Sequence, residues 1–284
     1  MDVNRADLHS HTTASDGMQQ PKENVRLAKE AGLAAIAITD HDTIDGIAEA
    51  MEAGEQLGIT VVPGVEISTV AEGIDIHILG YYTDWKNPGW RRKLQGLLDT
   101  RERRNEMIIE KLQEMGISIT LEEVVEEARK QGKDGGTIGR PHIASLLVAK
   151  SVVASMQEAF DRYLGTDGAA YANPPRLHPF EAVDWIREAG GTSVIAHPGL
   201  YENDALVEAI IRYGAQGIEV YHSDHSPEDE ARYEQLAGAH GLIITGGSDF
   251  HGERHGAVFH GPIGNRTVDV SVLQQLNPVW RDKR

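Results

Sequence analysis

A chain of 284 residues, 40% apolar and 25% charged, is long enough for one large α/β domain with an insertion and too rich in core-forming side chains to be disordered or fibrous. Acidic residues outnumber basic ones by 44 to 27, a formal charge of −17, which excludes a broad electropositive surface for gripping long nucleic acid but not a cation-lined pocket for small anions. There is no cysteine, so disulfides and thiolate metal sites are excluded and any metal must be held by imidazole and carboxylate.

The opening Met1-Asp2-Val3-Asn4-Arg5 lacks the apolar stretch of a secretory signal, and no run approaches the ~18 apolar residues of a membrane span, so a cytoplasmic protein without a membrane partner is expected. Asp7 to His11 reads as extended chain, followed by a helix from Pro21 to Ala31 and a buried strand from Ala34 to Thr39. Further strands are expected over Ile59 to Val65 and Ile74 to Tyr81. From about residue 88 to 170 the rhythm breaks into successive helix-like segments without a convincing strand, which predicts an inserted helical subdomain between barrel segments 1–87 and 171–284. Within it, Thr120 and Glu123 are placed as a capping box before Val124 and Val125, and the charged stretch Glu122 to Lys130 reads as a solvated face. Alternation then resumes: helix Pro179 to Ala189, strand Thr192 to Ala196, helix Asp204 to Tyr213, strand Gly217 to Tyr221, helix Pro227 to Ala239 and strand Leu242 to Thr245. Three of the helix candidates open on proline, which suits the first turn, and the whole predicts a largely parallel β/α architecture.

Side chains of metal-binding type recur at the ends of these strands, where β/α barrels place their active sites. His9 and His11 in Asp7-Leu8-His9-Ser10-His11 share one side of an extended chain because side chains alternate with period two. His41 follows a strand in Thr39-Asp40-His41-Asp42, Glu66 closes Pro63-Gly64-Val65-Glu66, and His77 lies between β-branched neighbours in Ile76-His77-Ile78. His197 in Ala196-His197-Pro198 and Asp249 and His251 in Ser248-Asp249-Phe250-His251 complete the series. Six strand ends carrying imidazole or carboxylate point to a polynuclear metal site.

In this combination and order, from residue 7 to 251, the motifs resemble those of the PHP family, the polymerase and histidinol phosphatase superfamily. The resemblance implies a distorted (β/α)7 barrel holding two or three divalent ions, manganese first, with zinc or iron as alternatives. It would put His9, His11, Glu66 and Asp249 around one ion, and His77 and His197 on a second that shares Glu66. The third would take His41 and His251 with Asp16, which stands where some relatives use histidine and otherwise reads as a turn residue before Gly17. Asp7 and Asp40 would orient imidazoles through their other ring nitrogen.

Clustered cations can activate water and clamp phosphate oxygens, so no serine or cysteine nucleophile is needed, and Ser10 and Ser248 read as neighbours of ligands. The segment Gly135-Gly136-Thr137-Ile138-Gly139-Arg140-Pro141-His142 opens a helix, with Pro141 in its first position, and would present Arg140 and His142 to phosphate. It looks like the branch of the family that removes the 3′-phosphate of 3′,5′-nucleotide bisphosphates, such as adenosine 3′,5′-bisphosphate, and that also trims short RNA from the 5′ end. Arg176 is a further phosphate contact, and His222 a proton donor or phosphate ligand. His178, His225, His240, His255 and His260 read as surface or structural histidines. The rival readings are a histidinol-phosphate phosphatase, an amidohydrolase, whose usual strand-end lysine is not evident, and a non-catalytic scaffold module. No obligate protein partner is expected.

Overall fold

The computed structural model describes residues 4–131, 136–254, 257–277 and 279. Met1 to Val3, Gly135 and His255, which entered the sequence reading, lie outside them. Seven strands follow one another around a sheet in chain order: β1 (Arg5–Asp7), β2 (Ala35–Ile38), β3 (Thr60–Ala71), β4 (Ile74–Tyr81), β5 (Thr192–Ile195), β6 (Gly217–His222) and β7 (Ile243–Gly247). The Leu8 amide donates to the Gly246 carbonyl (3.1 Å) and Ser10 bridges Phe250 in parallel, so β7 comes back to β1 and the sheet nearly closes into a barrel. Short hairpin strands β8 (Glu253–Arg254) and β9 (Ala257–Val258) follow, and β10 (Val268–Asp269) adds antiparallel to β1.

Around the barrel run α1 (Pro21–Glu30), α2 (Ile47–Leu57), α3 (Pro88–Glu114), α4 (Leu121–Lys130), α5 (Arg140–Ala149), α6 (Met156–Ala159), α7 (Pro179–Glu188), α8 (Asp204–Tyr213), α9 (Pro227–His240) and the short α10 (Leu273–Leu276). The helices expected outside the insert recur within a residue or two at each end, and α2, which carries no side-chain cap and is not expected from the sequence, completes the β2–β3 crossover. The capping box at Thr120 and Glu123 forms with bonds of 3.2 and 2.9 Å.

Among the seven barrel strands one breaks the parallel rule. β4 runs antiparallel to both β3 and β5, because β3 extends past the expected Val65 to Ala71 and turns back through Glu72 and Gly73. Both turn residues have positive φ (52° and 82°), the conformation of the tight hairpin turn whose twist matches that of its strands. The reversal matters for the site: the start of β4, with His77, lies at the same rim as the carboxyl ends of the parallel strands.

Between β4 and α7 every regular element among the described residues is a helix. Ile108, Leu112, Val124, Ile143, Leu147 and Leu164 bury one another in a cluster apart from the barrel's, while Trp90 and Leu94 at the start of α3 pack into the barrel cluster with Ile78 and Ile186. The 27-residue α3 thus belongs to both cores, which fixes the helical segment over the barrel rim. Among the described residues no helix is long and apolar enough to cross a membrane.

Candidate metal centre

Glu66 is the hub of the rim. Its Oε2 lies 3.1 Å from His11 Nε2, 3.4 Å from His9 Nε2 and 3.0 Å from His41 Nδ1, and its Oε1 lies 2.8 Å from His77 Nδ1 and 3.0 Å from His197 Nε2. Opposite it, Asp249 Oδ1 is 3.3 Å from His9 Nε2 and 3.0 Å from His11 Nε2. The structure therefore brings together the four side chains expected around the first ion, and His77 and His197 around the other oxygen of Glu66. Asp16 stands 3.3 Å from His251 Nε2 and 3.8 Å from His41 Nε2, so it joins these two as expected, with His11 (3.8 Å) as an additional neighbour.

The convergence depends on close backbone approach. A Cβ on Gly247 would lie 2.4 Å from the His9 amide nitrogen, so only glycine lets β7 pass so near the first histidines. Asp42, His197 and Asp249 have positive φ (57°, 25° and 52°), strain concentrated where the rim must aim its side chains.

The donor set fits divalent cations. His9 Nε2, both nitrogens of His11, His41 Nδ1, Glu66 Oε2 and Asp249 Oδ1 are buried without a hydrogen-bond partner, an expensive arrangement for apolar surroundings unless an ion completes it. Burial disfavours the imidazolium of His11, but its contacts with Asp249 and Glu66 prevail and raise its pKa to about 10. Burial likewise pushes Glu66 upward, yet the surrounding imidazoles, His41, His77 and His9 above all, hold it well below the usual carboxylate range. In the metal-free chain His11 is thus protonated at pH 7, and a cation must displace that proton. Loading a divalent ion near pH 7 is expected to release protons, measured as a buffer-dependent heat in calorimetry; loading with no proton release would contradict this protonation state.

The carboxylates meant to orient imidazoles do something else. Asp7 accepts from the amides of His9 (3.3 Å), Ser248 (2.9 Å) and Gly264 (2.8 Å), and Asp40 from Thr12 and Ser15; they brace the loops that carry the ligands. Burial, only partly offset by those amides, raises the Asp7 pKa to about 6. The residue that orients an imidazole is Glu219, in mid-β6: it meets His9 Nδ1 at 3.0 and 3.1 Å and accepts from the His197 amide at 2.8 Å. Glu219 is not among the strand-end residues expected from the sequence, where its signal is a carboxylate between Ile218 and Val220 in a buried strand.

His222 does not reach the cleft. It is fully buried behind Asp249, with Nε2 3.2 Å from Asp249 Oδ2, so it supports that carboxylate rather than facing a substrate. His260, read as structural, instead lines the cleft beside Asp224 and places Nε2 3.3 Å from Asp249 Oδ2. His178 caps α7, accepting from the Phe180 amide, and His225 binds the Val220 carbonyl and the Gly199 amide, both structural as expected.

Above the cluster a cleft of about 760 Å³ runs to the helical segment, lined by Glu66, His77, His197, Asp249 and His251 on one side and by Arg101, Arg104, Arg140 and Phe160 on the other. Arg140 sits here; α5 starts one residue earlier than expected, so that Arg140 rather than Pro141 takes its first position, and Arg140 Nη2 pairs with Asp75 at 2.7 Å. His142 is buried in the helical segment, where its Nδ1 accepts from the Gly139 amide (3.0 Å) and caps α5. Arg176 reaches the far side of Asp75.

The model of the PHP domain matches residues 7–165. The 5′-3′ exoribonuclease Rnm of Salmonella typhimurium is 36% identical over 252 residues, spanning 86% of this chain and 84% of that one. The chain belongs to the PHP family. The 3′,5′-nucleoside bisphosphate phosphatase of Chromobacterium violaceum is 34% identical to this PHP chain over 284 residues, 97% of this chain and 95% of that one. Among solved structures, one from Bifidobacterium adolescentis, described as a metal-dependent phosphoesterase, superposes with a TM-score of 0.84 at 33% identity, covering 95% of this chain and 94% of that one. The PHP chain is accordingly a metal-dependent phosphoric ester hydrolase with an α/β barrel of PHP type.

Proposed function

We propose that this enzyme removes the 3′-phosphate of 3′,5′-nucleotide bisphosphates, such as adenosine 3′,5′-bisphosphate, leaving the nucleoside 5′-monophosphate. The observation that carries the reading is the pairing, in one cleft, of a cluster suited to cations with an arginine wall suited to a second oxyanion. The family relative named as a bisphosphate phosphatase, similar over nearly its whole length, supports it.

In this reading His9, His11, Glu66 and Asp249 would hold one ion, His77 and His197 with Glu66 a second, and Asp16, His41 and His251 a third, with manganese as the metal. Such ions supply Lewis acidity toward the phosphate oxygens and activation of the attacking water. The protein's own part is to fix the reacting group. Glu66 and Asp249 keep the imidazoles in register, His222 holds Asp249 from behind, and Glu219 sets the tautomer of His9. In the same reading residues 88–170 are a helical insert on the barrel of 1–87 and 171–284 that contributes to substrate binding, bringing Arg140 to the cleft, where its planar fork can take two phosphate oxygens.

Phosphate release by the manganese-loaded protein tests this, with adenosine 3′,5′-bisphosphate, histidinol phosphate and a short 5′-phosphorylated RNA compared side by side. A preference of at least about tenfold in kcat/KM for the bisphosphate is expected, equivalent to ~1.4 kcal/mol of added transition-state binding. An inert bisphosphate beside a processed RNA would transfer the assignment to the exoribonuclease activity named for the Salmonella relative.

A further inference from the structure

Asp16 and His41, two ligands of the third cation in the reading above, lie in the loops that follow β1 and β2, and the helical insert grips both loops. His41 is held through its neighbour. Arg101 on α3 donates from Nη2 and Nε to Asp42 Oδ2 (2.7 and 3.1 Å) and from Nη2 to Ser68 Oγ (2.6 Å). The other oxygen of Asp42 accepts from the Ser68 amide at 2.8 Å. On either side of His41 the backbone is sewn to β3, by the Asp42 amide to the Glu66 carbonyl (2.9 Å) and the Glu66 amide to the Asp40 carbonyl (3.1 Å). Arg101 and Asp42 are both buried, so solvent screens the pair little. The positive φ of Asp42, +57°, is a strained conformation that such contacts must hold.

The loop of Asp16 is held by the glycine-rich start of α5. The Thr137 amide donates to the Ala14 carbonyl (3.4 Å), and a Cβ on Gly136 would fall 1.9 Å from the Thr13 carbonyl oxygen, so only glycine lets these two loops touch. Gly139, the N-cap of α5, fits between Arg101 and Asp16: a Cβ there would lie 3.3 Å from Arg101 Nη1 and 3.4 Å from Asp16 Oδ2. Asn105, one turn after Arg101 on α3, donates to the Ile138 carbonyl at 2.8 Å and ties the two grips into one unit.

Ligands read for the other two cations are braced from within the barrel. Glu219 holds His9 and the His197 amide, and the His77 amide donates to the Tyr201 hydroxyl at 3.0 Å. Arg140 reaches β4 at Asp75, but His77 stands in a strand laddered on both sides, whose backbone that contact does not set.

We propose that Arg101 is a positioning residue of the metal centre: acting through Asp42 it aims His41, and with the glycine-rich loop of the insert it makes occupancy of the third cation site depend on docking of the insert. The inference rests on the three-cation reading above and not on the identity of the substrate.

Titration of divalent manganese into the metal-free full chain, followed by calorimetry, tests it. Arg101→Met is expected to weaken one of three binding steps by about 10–100-fold and to leave the other two within about twofold. Gly136→Ala, which parts the two loops without removing a charge, is expected to weaken the same step. In an Asp16→Ala background, where the third site is already lost, Arg101→Met is expected to change nothing further. Unchanged affinities in either single variant, an equal loss at all steps, or a further loss in the Asp16→Ala background would each overturn the proposal. Arg101→Lys, which keeps the charge without the planar fork, replaces the methionine variant if that one does not fold, and is expected to weaken the same step by less. A wild type that takes up only two cations would remove the third from the reading above and this inference with it. Three cations in a chain inert toward the bisphosphate would remove the substrate reading alone.

Discussion

Glu66→Gln is expected to lower turnover by on the order of 10³-fold and to reduce the number of divalent ions held per chain. Glu66 is the carboxylate against which five imidazoles are packed, those of His9, His11, His41, His77 and His197. A glutamine has the same shape but offers one neutral acceptor and a donor, so it could neither serve cations on both sides as a carboxylate would nor offset their charge. The loss of several kcal/mol of electrostatic stabilisation sets the size of the effect. Metal analysis of the purified variant alongside steady-state phosphate release checks both parts. Full metal content with undiminished turnover would remove Glu66 from the centre of the site.

Glu219→Gln is expected to weaken metal binding by about 10–100-fold, although no atom of residue 219 need touch an ion. Two ligands depend on this one carboxylate. It fixes His9 by accepting at Nδ1, which leaves Nε2 free to face Glu66 and Asp249, and it accepts from the amide of His197, whose φ of +25° is held by that bond. Glutamine has one acceptor oxygen for these two donors, and its NH2 group turned toward His9 would favour the tautomer that carries the proton on Nε2. Competitive titration against a chelating dye measures the affinity, and melting of both proteins in chelator separates a local effect from a folding defect. A dissociation constant within twofold of the wild type would show that His9 is oriented by other means.

Much of the site was legible in the chain because its chemistry is local to strand ends. His9 and His11 are spaced by two, His41, His197 and Asp249 follow apolar runs, and these positions alone predict one rim. Asp16 was the doubtful member, since an aspartate before glycine is ordinary turn chemistry, and only its 3.3 Å approach to His251 distinguishes the two readings. At the glycine-rich start of α5, Arg140 lines the cleft while His142 turns back to its own helix, because a histidine three residues after an N-cap can serve the helix itself.

By itself the sequence determined the residue types of the metal cluster, the β/α rhythm and the existence of a helical stretch between the barrel segments, since each is written in short-range periodicity and strand-end position. The tertiary structure alone decided which carboxylate orients His9, that β4 runs backward to deliver His77, that His222 lies behind Asp249 while His260 faces the cleft, and that Arg101 and Arg104 join Arg140. Such partners lie far apart in the chain: 27 residues separate His222 from Asp249 and 210 separate His9 from Glu219. Contacts at such separations depend on strand register and barrel closure, which no local pattern of side chains specifies.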